Sequence, residues 1–123
     1  VAKGEGAVLI HCAAGKDRTG ILAALTHHIA GVSDEDIIDD YLLTNDPTRF
    51  ERRGHIFLNN IFEMTGKRPT EAAMRAAMGV EARYLAAAFA AIKDQYGSLD
   101  GYLENAVGLD AKTREAVAAH ILL

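Results

Sequence analysis

The feature that most constrains this fold is a short apolar run that leads into a glycine-containing loop and then into a helix. Residues 7–10 are Ala-Val-Leu-Ile, and the run is too short and too glycine-flanked to be a helix. We therefore expect a buried strand there, whose carboxyl end delivers Cys12. From Thr19 onward, apolar residues recur at helical spacing as far as about Gly31. Residues 13–17 are thus expected to join a strand end to a helix start.

The rest of the chain is expected to be helical. Apolar periodicity indicates the helices, and glycine or proline residues separate them. The expected helices span residues 18–30, 33–44, 47–65, 70–78, 81–95, 99–106 and 110–122. Core positions expected on the fifth of these helices are Tyr84, Leu85, Ala88, Phe89 and Ile92.

The expected strand at residues 7–10 constrains the fold class. A lone strand cannot satisfy its backbone donors and acceptors, so it must pair with strands that this sequence does not contain. The predicted fold class is therefore α/β, with one central strand leading into the loop and a mostly helical remainder.

The loop is His-Cys-Ala-Ala-Gly-Lys-Asp-Arg-Thr-Gly at residues 11–20, and it has the features of an anion site beside a nucleophile. A helix start presents unpaired N–H groups and partial positive charge to a phosphate. Ala13, Ala14 and Gly15 are small, so the backbone can approach the phosphate oxygens. The same field lowers a thiol pKa from ~8.5 to between roughly 3.5 and 7.5 when cations are near. We therefore expect Cys12 to be a thiolate at neutral pH.

Each polar residue after the loop cysteine suits one step of phosphate-ester hydrolysis. The Cys12 sulfur would attack phosphorus and form a phosphocysteine, which water then hydrolyses. Arg18 supplies a planar fork for two phosphate oxygens, and Thr19 can donate its hydroxyl to the departing sulfur. Asp17 is the nearest candidate to protonate the leaving oxygen. Because loop amides and Arg18 neutralise the phosphate charge, no metal and no other cofactor is expected.

This pattern, His-Cys-x5-Arg-Thr, resembles the signature of cysteine-dependent phosphatases. The string Cys-x-Ala-Gly-Lys-Asp-Arg-Thr-Gly is similar to that of the bacterial atypical protein-tyrosine and phosphoinositide phosphatases, and the likeness extends to residues 40–45 and 96–103. The resemblance implies that Cys12 is the nucleophile, Arg18 the phosphate clamp and Asp17 the acid within the loop. The substrate-binding residues are then Ala13, Ala14, Gly15, Lys16 and Gly20.

The resemblance also implies a domain organisation and partners. Residues 1–123 would be the C-terminal portion of a single phosphatase domain, since the family's N-terminal portion, with the rest of its parallel sheet, is absent from this chain. The expected partners are that missing N-terminal half and a phosphorylated protein or phosphoinositide substrate. Lipid-directed cysteine phosphatases also carry a lysine in this loop, so Lys16 makes dual specificity plausible.

Residues 47–65 have two interpretations. In the resembling family, a helical insertion after the loop helix covers the active site as a lid, and Arg49, Arg52 and Arg53 would then meet an anionic substrate. The apolar face of this segment also fits an ordinary amphipathic helix packed on the core, and we favour that interpretation slightly.

Two functions of different classes remain open at this point. The first is a phosphatase acting on phosphotyrosine, with phosphoserine, phosphothreonine or phosphoinositides as further substrates. The second is a truncated or inactive module that binds phosphorylated partners or assembles with its missing half. Intact Cys12, Arg18 and Thr19 favour the enzyme. A nucleotide-binding loop is disfavoured because the Gly-x4-Gly-Lys-Ser/Thr spacing is absent, and a disulfide relay within the chain is excluded by its single cysteine.

Composition sets the remaining limits. A chain of 123 residues supports one core, and a net charge of -4 without a basic stripe argues against nucleic-acid binding. No run approaches the ~18 apolar residues of a membrane span. The location stays open, either cytoplasmic or secreted in a bacterium. The histidines lack metal-ligand spacing, and the acidic stretch after Ser33 is typical of a capped helix start. His11 is expected to steady the loop through hydrogen bonds.

Overall fold

The computed structural model describes residues 6–122, and these residues form seven α-helices joined by short connections. A single 3₁₀ turn, Leu43–Asn45, follows the second helix. The helices are α1 (Asp17–Ile29), α2 (Asp34–Leu42), α3 (Pro47–Thr65), α4 (Glu71–Met78), α5 (Ala82–Tyr96), α6 (Leu99–Asn105) and α7 (Ala111–Ile121). All seven helices expected from the sequence are confirmed, and their ends differ from the prediction by at most a few residues.

Side-chain caps mark where most of these helices begin, although α1 and α5 start without one. Ser33 accepts a hydrogen bond from the Asp36 N–H at the start of α2, as its acidic stretch predicts. Asp46 caps α3 in the same way, with Pro47 as the first helical residue. That helix ends at Gly66, whose φ of 67° is the left-handed conformation that glycine adopts most easily.

No β-strand is present within residues 6–122, so the strand expected at residues 7–10 is not confirmed. A strand requires backbone partners on a neighbouring segment, and the described part of the chain supplies none. The apolar side chains of this run are consequently exposed, with Leu9 87% accessible. None of the helices described is long and apolar enough to cross a membrane.

The core lies where α1, α2 and α5 meet. Its buried members include Ile37 on α2 and Leu85 on α5, each only 1% exposed. The α1 backbone approaches α2 closely at Gly20, where an added Cβ would lie 2.6 Å from Tyr41 Cε2. Glycine at position 20 therefore allows the helix that follows the loop to pack against α2. The full core set is Ala24, Ile37, Tyr41, Val80 and Leu85, with Phe89 partly buried against it.

One expected core residue is wrongly predicted. Tyr84 is 42% exposed, and its hydroxyl donates to Glu81 Oε1 at 2.9 Å. The Arg83 guanidinium also lies over its ring. Tyr84 is on the solvent side of the first turn of α5, where polar neighbours satisfy its hydroxyl.

Helices α3 and α4 form an excursion, residues 46–79, that is packed differently. Within it, only Gly54 and Met74 are buried, and they contact each other where α3 and α4 meet. The expectation that α3 packs its apolar face on the core is wrong, because Phe62 and Met64 on that face are exposed. The main packing contacts of α3 are with α4 and the 3₁₀ turn. The excursion is thus attached to the core chiefly at its two ends.

Candidate active site

The loop before α1 makes a tight turn at residues 13–16. Gly15 has a φ of 68°, a left-handed conformation that costs other residues roughly 1–2 kcal/mol. The space beside its Cα is open, so the backbone conformation rather than crowding requires glycine here. Helix α1 begins at Asp17 and not at residue 18, which places Asp17 in the first helical turn. The loop therefore wraps around the position of the Cys12 side chain.

Cys12 is a partly buried free thiol with several donors around its sulfur. The Gly15 N–H donates to Sγ at 3.2 Å. The hydroxyl and backbone N–H of Thr19, followed by the N–H groups of Gly15 and Lys16, lower the thiol pKa from its ordinary 9.0 to about 6, against an opposing effect of burial. Cys12 is consequently a thiolate at neutral pH, the nucleophilic form of cysteine.

Thr19, in the first turn of α1, has the strongest of these influences on the thiol pKa. Its hydroxyl oxygen is buried, and no residue between 6 and 122 lies at hydrogen-bond distance and angle from it. An unpaired buried hydroxyl is costly unless a group nearby uses it. The sulfur of Cys12 is the group that this hydroxyl influences, since Thr19 makes the largest contribution to the lowered thiol pKa.

Arg18 extends from the first turn of α1 into solvent. Its guanidinium forms no hydrogen bond or ion pair with the described residues. An arginine in this state keeps all five donors for an incoming anion. The side chain is close in sequence to the thiolate, and its fork is open to bind phosphate oxygens.

Lys16 is held by the protein to a greater degree than the sequence suggests. Its side chain is only 16% exposed, and Nζ donates to Asp17 Oδ1 at 3.1 Å. The same Nζ donates to the Gly79 carbonyl at 3.2 Å, at the far end of the excursion. Lys16 therefore links the loop to both the Asp17 carboxylate and the end of α4. The Asp17 side chain remains 57% exposed.

The small loop residues border a cleft of about 330 Å³. Ala13 and Ala14 form one wall, while the opposite wall comes from α3 and the end of α4. That wall is both apolar and basic: it includes Arg49, Phe50, Arg53, Ile56, Phe57 and Met78. Arg53 Nη1 also donates to the Ala14 carbonyl at 3.1 Å, which ties α3 to the loop. The cleft is suited to a ligand that joins an aromatic or apolar body to negative charge.

A second cavity of about 240 Å³ also borders the loop. Gly15 and Thr19 border it, and Arg49 is the one arginine that lines both cavities. Neither Cys12 nor Arg18 lines either cavity. Both cavities thus border the loop that carries Cys12, and Arg49 lines each of them.

Two loop residues have arrangements that differ from the sequence expectation. The Gly20 N–H donates to the Lys16 carbonyl at 3.0 Å, so it is occupied by the helix and not free for a phosphate. His11 is exposed, and its side chain forms no hydrogen bond within residues 6–122, so its steadying role is not confirmed. Among the residues described, no group of three or more His, Cys, Asp or Glu side chains could hold a metal ion.

Sequence reasoning missed two contributors near the loop, Asn45 and Gly79. Asn45 hydrogen-bonds both backbone groups of Val80, and the neighbouring Gly79 carbonyl binds Lys16. A signal was present in part, since a glycine after a helix end often marks a backbone position with a special contact. The pairing across 35 residues could not be read from the sequence.

Comparisons of the sequence with known proteins identify relatives of this chain. The sequence profile of the tyrosine phosphatase family matches residues 1–123. A protein of Cupriavidus necator, provisionally named a tyrosine-protein phosphatase, is 37% identical over 109 residues, which cover 89% of this chain and 38% of that protein. The triple specificity protein phosphatase PtpB of Mycobacterium tuberculosis is 40% identical over 111 residues, covering 80% of this chain and 38% of PtpB.

A tyrosine-protein phosphatase of Nostoc commune is 36% identical over 114 residues, covering 85% of this chain and 35% of that protein. The chain therefore spans little more than a third of the length of the curated relatives it matches. The profile match over all 123 residues and these identities lead to one conclusion. The chain belongs to the tyrosine phosphatase family.

Proposed function

We propose that this protein hydrolyses phosphate monoesters, with phosphotyrosine as a substrate, through a phosphocysteine intermediate. The observation that carries the proposal is the Cys12 sulfur, which accepts the Gly15 N–H at 3.2 Å in the loop and whose pKa is lowered to about 6. An activated thiolate is a strong nucleophile at neutral pH. Six residues later, the open fork of Arg18 provides the charge that a phosphate dianion requires.

In the first step, the Cys12 sulfur attacks phosphorus in line with the leaving oxygen. The S–P bond forms as the P–O bond breaks, and Asp17 donates a proton to the departing alkoxide or phenoxide. Loop amides and the Arg18 guanidinium bind the equatorial oxygens, where negative charge builds up in the transition state. The turn at Gly15 already directs one of these amides towards the sulfur.

In the second step, water attacks the phosphocysteine. The Asp17 carboxylate, now deprotonated, accepts a proton from that water, and the P–S bond breaks to release inorganic phosphate. The Thr19 hydroxyl stabilises the sulfur as it leaves, which is the role consistent with its influence on the thiol pKa. The enzyme returns to its thiolate form with no metal and no cofactor consumed.

We further propose that the substrate range includes phosphoinositides as well as phosphoproteins. Support comes from the cleft beside the loop, where aromatic side chains and Arg49 and Arg53 lie together. A phosphate-bearing ring with a second anionic group would contact both the aromatic side chains and the arginines of this cleft. The relative PtpB is named a triple specificity phosphatase. The intact nucleophile and the open Arg18 favour an enzyme over an inactive module that only binds phosphorylated partners.

We also propose that residues 1–123 are the C-terminal portion of one phosphatase domain, in which residues 7–10 pair as a central strand with a sheet from the N-terminal portion. The exposed Val8 and Leu9 support this, because an apolar run is stable in water only when another surface covers it. Such a sheet would also hold Cys12 more firmly at the end of its strand.

The nucleophile is tested by turnover of p-nitrophenyl phosphate in the whole protein. Cys12→Ser is expected to lower kcat by about 10⁴-fold or more, because the hydroxyl is not ionised near neutral pH. Its circular dichroism and melting temperature control for folding. Equal turnover in the parent and Cys12→Ser proteins would refute the mechanism, and a parent with no phosphatase activity would refute the function.

The acid is tested separately with two leaving groups. Asp17→Ala is expected to lower kcat for phenyl phosphate by about 10²-fold, with a much smaller loss for p-nitrophenyl phosphate, whose phenoxide leaves without a proton. Asp39→Ala, which replaces an exposed aspartate on α2, serves as the matched control. Equal losses on both esters would remove Asp17 from this role.

A further inference from the structure

The two ends of the α3–α4 excursion meet through a single side chain, Asn45. Its Nδ2 donates to the Val80 carbonyl at 2.9 Å, and the Val80 N–H donates to its Oδ1 at 2.9 Å. The amide thus bonds both backbone groups of Val80, as a neighbouring strand residue would. Val80 itself is buried in the core. Asn45 therefore fixes the point at which the excursion returns to the core.

That return point is also where the loop lysine is bound. The carbonyl of Gly79, the residue before Val80, accepts the bond from Lys16 Nζ, and the same Nζ bonds Asp17. A Cβ on Gly79 would lie 3.0 Å from Asn45 Oδ1 and 2.7 Å from the Arg75 carbonyl. Glycine at position 79 thus lets the Asn45 amide approach the backbone closely.

These contacts form one continuous series of hydrogen bonds. It runs from the Asn45 amide to Val80, along the backbone to the Gly79 carbonyl, and through Lys16 Nζ to the Asp17 carboxylate. Lysine has a flexible four-carbon stem, so its ammonium is well placed only when its acceptors are fixed. Of these acceptors, the Gly79 carbonyl is the one supplied by a distant part of the chain.

We propose that Asn45 is a positioning residue for the active-site loop: it acts through Gly79 and Lys16 to hold the carboxylate of Asp17 where the leaving oxygen departs. This inference rests on the proposed function, because it concerns the acid of that reaction. Loss of the Asn45 amide would free the Gly79 carbonyl to move. Lys16 would then lose its fixed acceptor, and the Asp17 carboxylate its fixed partner.

A double-mutant cycle in the whole protein tests this series. Asn45→Ala is expected to lower kcat for phenyl phosphate by about tenfold while lowering that for p-nitrophenyl phosphate less than twofold. In a Lys16→Ala background, the same Asn45 substitution is expected to change kcat for phenyl phosphate less than twofold. Additive effects of the two substitutions, or equal losses on both esters, would overturn the proposal.

A matched control separates positioning from general stability. Asn105→Ala removes a comparable amide bond, from Nδ2 to the Gly101 carbonyl at 2.8 Å in α6. It is expected to lower the melting temperature without changing the ratio of kcat values for the two esters. If it changes that ratio as Asn45→Ala does, the effect is global and the proposal is refuted.

Asn45→Asp covers the case in which the alanine variant fails to fold. The carboxylate keeps the acceptor for the Val80 N–H and loses the donor to the Val80 carbonyl. We expect a folded protein with a kcat loss of about threefold or more for phenyl phosphate, and an unchanged ester ratio would overturn the inference. A parent without turnover would refute the proposed function instead, so the two failures are distinguishable.

Discussion

The helices around the core and the α3–α4 excursion differ in what holds them in place. Leu85 and Ile37 are almost completely buried between α1, α2 and α5, whereas Met64 on α3 is 82% exposed. The excursion is joined to the loop by polar contacts, from Arg53 to Ala14 and from Lys16 to Gly79. Apolar burial stabilises the first region, and directional hydrogen bonds orient the second.

We expect this difference to separate two properties of the protein: the core helices stabilise the fold, and the excursion determines the substrate specificity. The proposed nucleophile, Cys12, and Thr19, which lowers its pKa, lie with the core helices, because they precede or begin α1. The excursion supplies the basic and aromatic wall of the cleft. We therefore expect substitutions in the core to change unfolding, and substitutions in the excursion to change which esters are turned over.

The largest effect is expected from truncating a core side chain. Leu85→Ala should lower the free energy of unfolding by about 2–5 kcal/mol, since it leaves a cavity where three helices meet. Met64→Ala should change it by no more than about 0.5 kcal/mol. Urea denaturation of the whole protein measures both. A large loss of unfolding free energy in Met64→Ala would contradict this difference between the two regions, because it would mean that the exposed face of α3 is covered in the whole protein.

Two helical glycines, one in the core and one in the excursion, test the same difference in packing. Gly20→Ala should cost roughly 1–3 kcal/mol, because its Cβ would overlap Tyr41. Gly54→Ala on α3 should instead stabilise by up to about 1 kcal/mol, since alanine favours a helix and its Cβ would meet only Met74 Cε, at 3.5 Å. Thermal melts of the two variants give opposite signs. The same sign at both positions would contradict the packing described.

The lowered pKa of the Cys12 thiol is expected to depend on the loop and the first turn of α1, and not on the excursion. Thr19→Ala should raise the Cys12 pKa from about 6 towards its ordinary 9.0. The thiolate is the reactive form, so iodoacetamide alkylation of the parent should rise with pH around a midpoint near 6. In Thr19→Ala that midpoint should move to higher pH. Thr26→Ala, which loses a hydroxyl bonded to the Leu22 carbonyl further along α1, is the control. An unchanged midpoint in Thr19→Ala would disprove the role of this hydroxyl.

The smallest effect is expected from a single arginine of the excursion. Arg49→Ala should raise KM for a phosphoinositide bearing two or more phosphates by about tenfold, since it removes a charged donor between the two cavities. KM for a phosphotyrosyl peptide with uncharged residues on either side of the phosphotyrosine should change less than twofold. Arg52, three residues on and lining neither cavity, gives the matched variant Arg52→Ala. Equal effects of Arg49→Ala on KM for both substrates would contradict the expectation that the excursion determines which esters are turned over.

The sequence predicted helices well and the shape of the site less well. Apolar periodicity and capping residues are local, so the span of α3 was predicted to the residue and Ser33 was predicted as a cap. The strand at residues 7–10 was predicted from its composition, but pairing depends on partners elsewhere, and the described residues offer none. Tyr84 was misassigned because helical spacing alone does not show which side of a turn faces solvent.

The chemistry of the loop follows from residues close together in sequence, which is why Cys12, Arg18 and Thr19 could be proposed from spacing alone. Contacts that cross the chain could not. The bonds from Lys16 to Gly79 and from Arg53 to Ala14 join residues 63 and 39 positions apart. They depend on how the excursion folds back, which no local pattern specifies.

The central claim is that Cys12 forms a covalent bond to phosphorus during turnover. Rapid acid quenching of the whole protein with p-nitrophenyl phosphate, followed by mass spectrometry of its peptides, tests it most directly. We expect a phosphoryl group on the peptide containing Cys12, and none on the corresponding peptide of Cys12→Ser. Steady turnover with that peptide unmodified, or with the phosphoryl group on another residue, would contradict it.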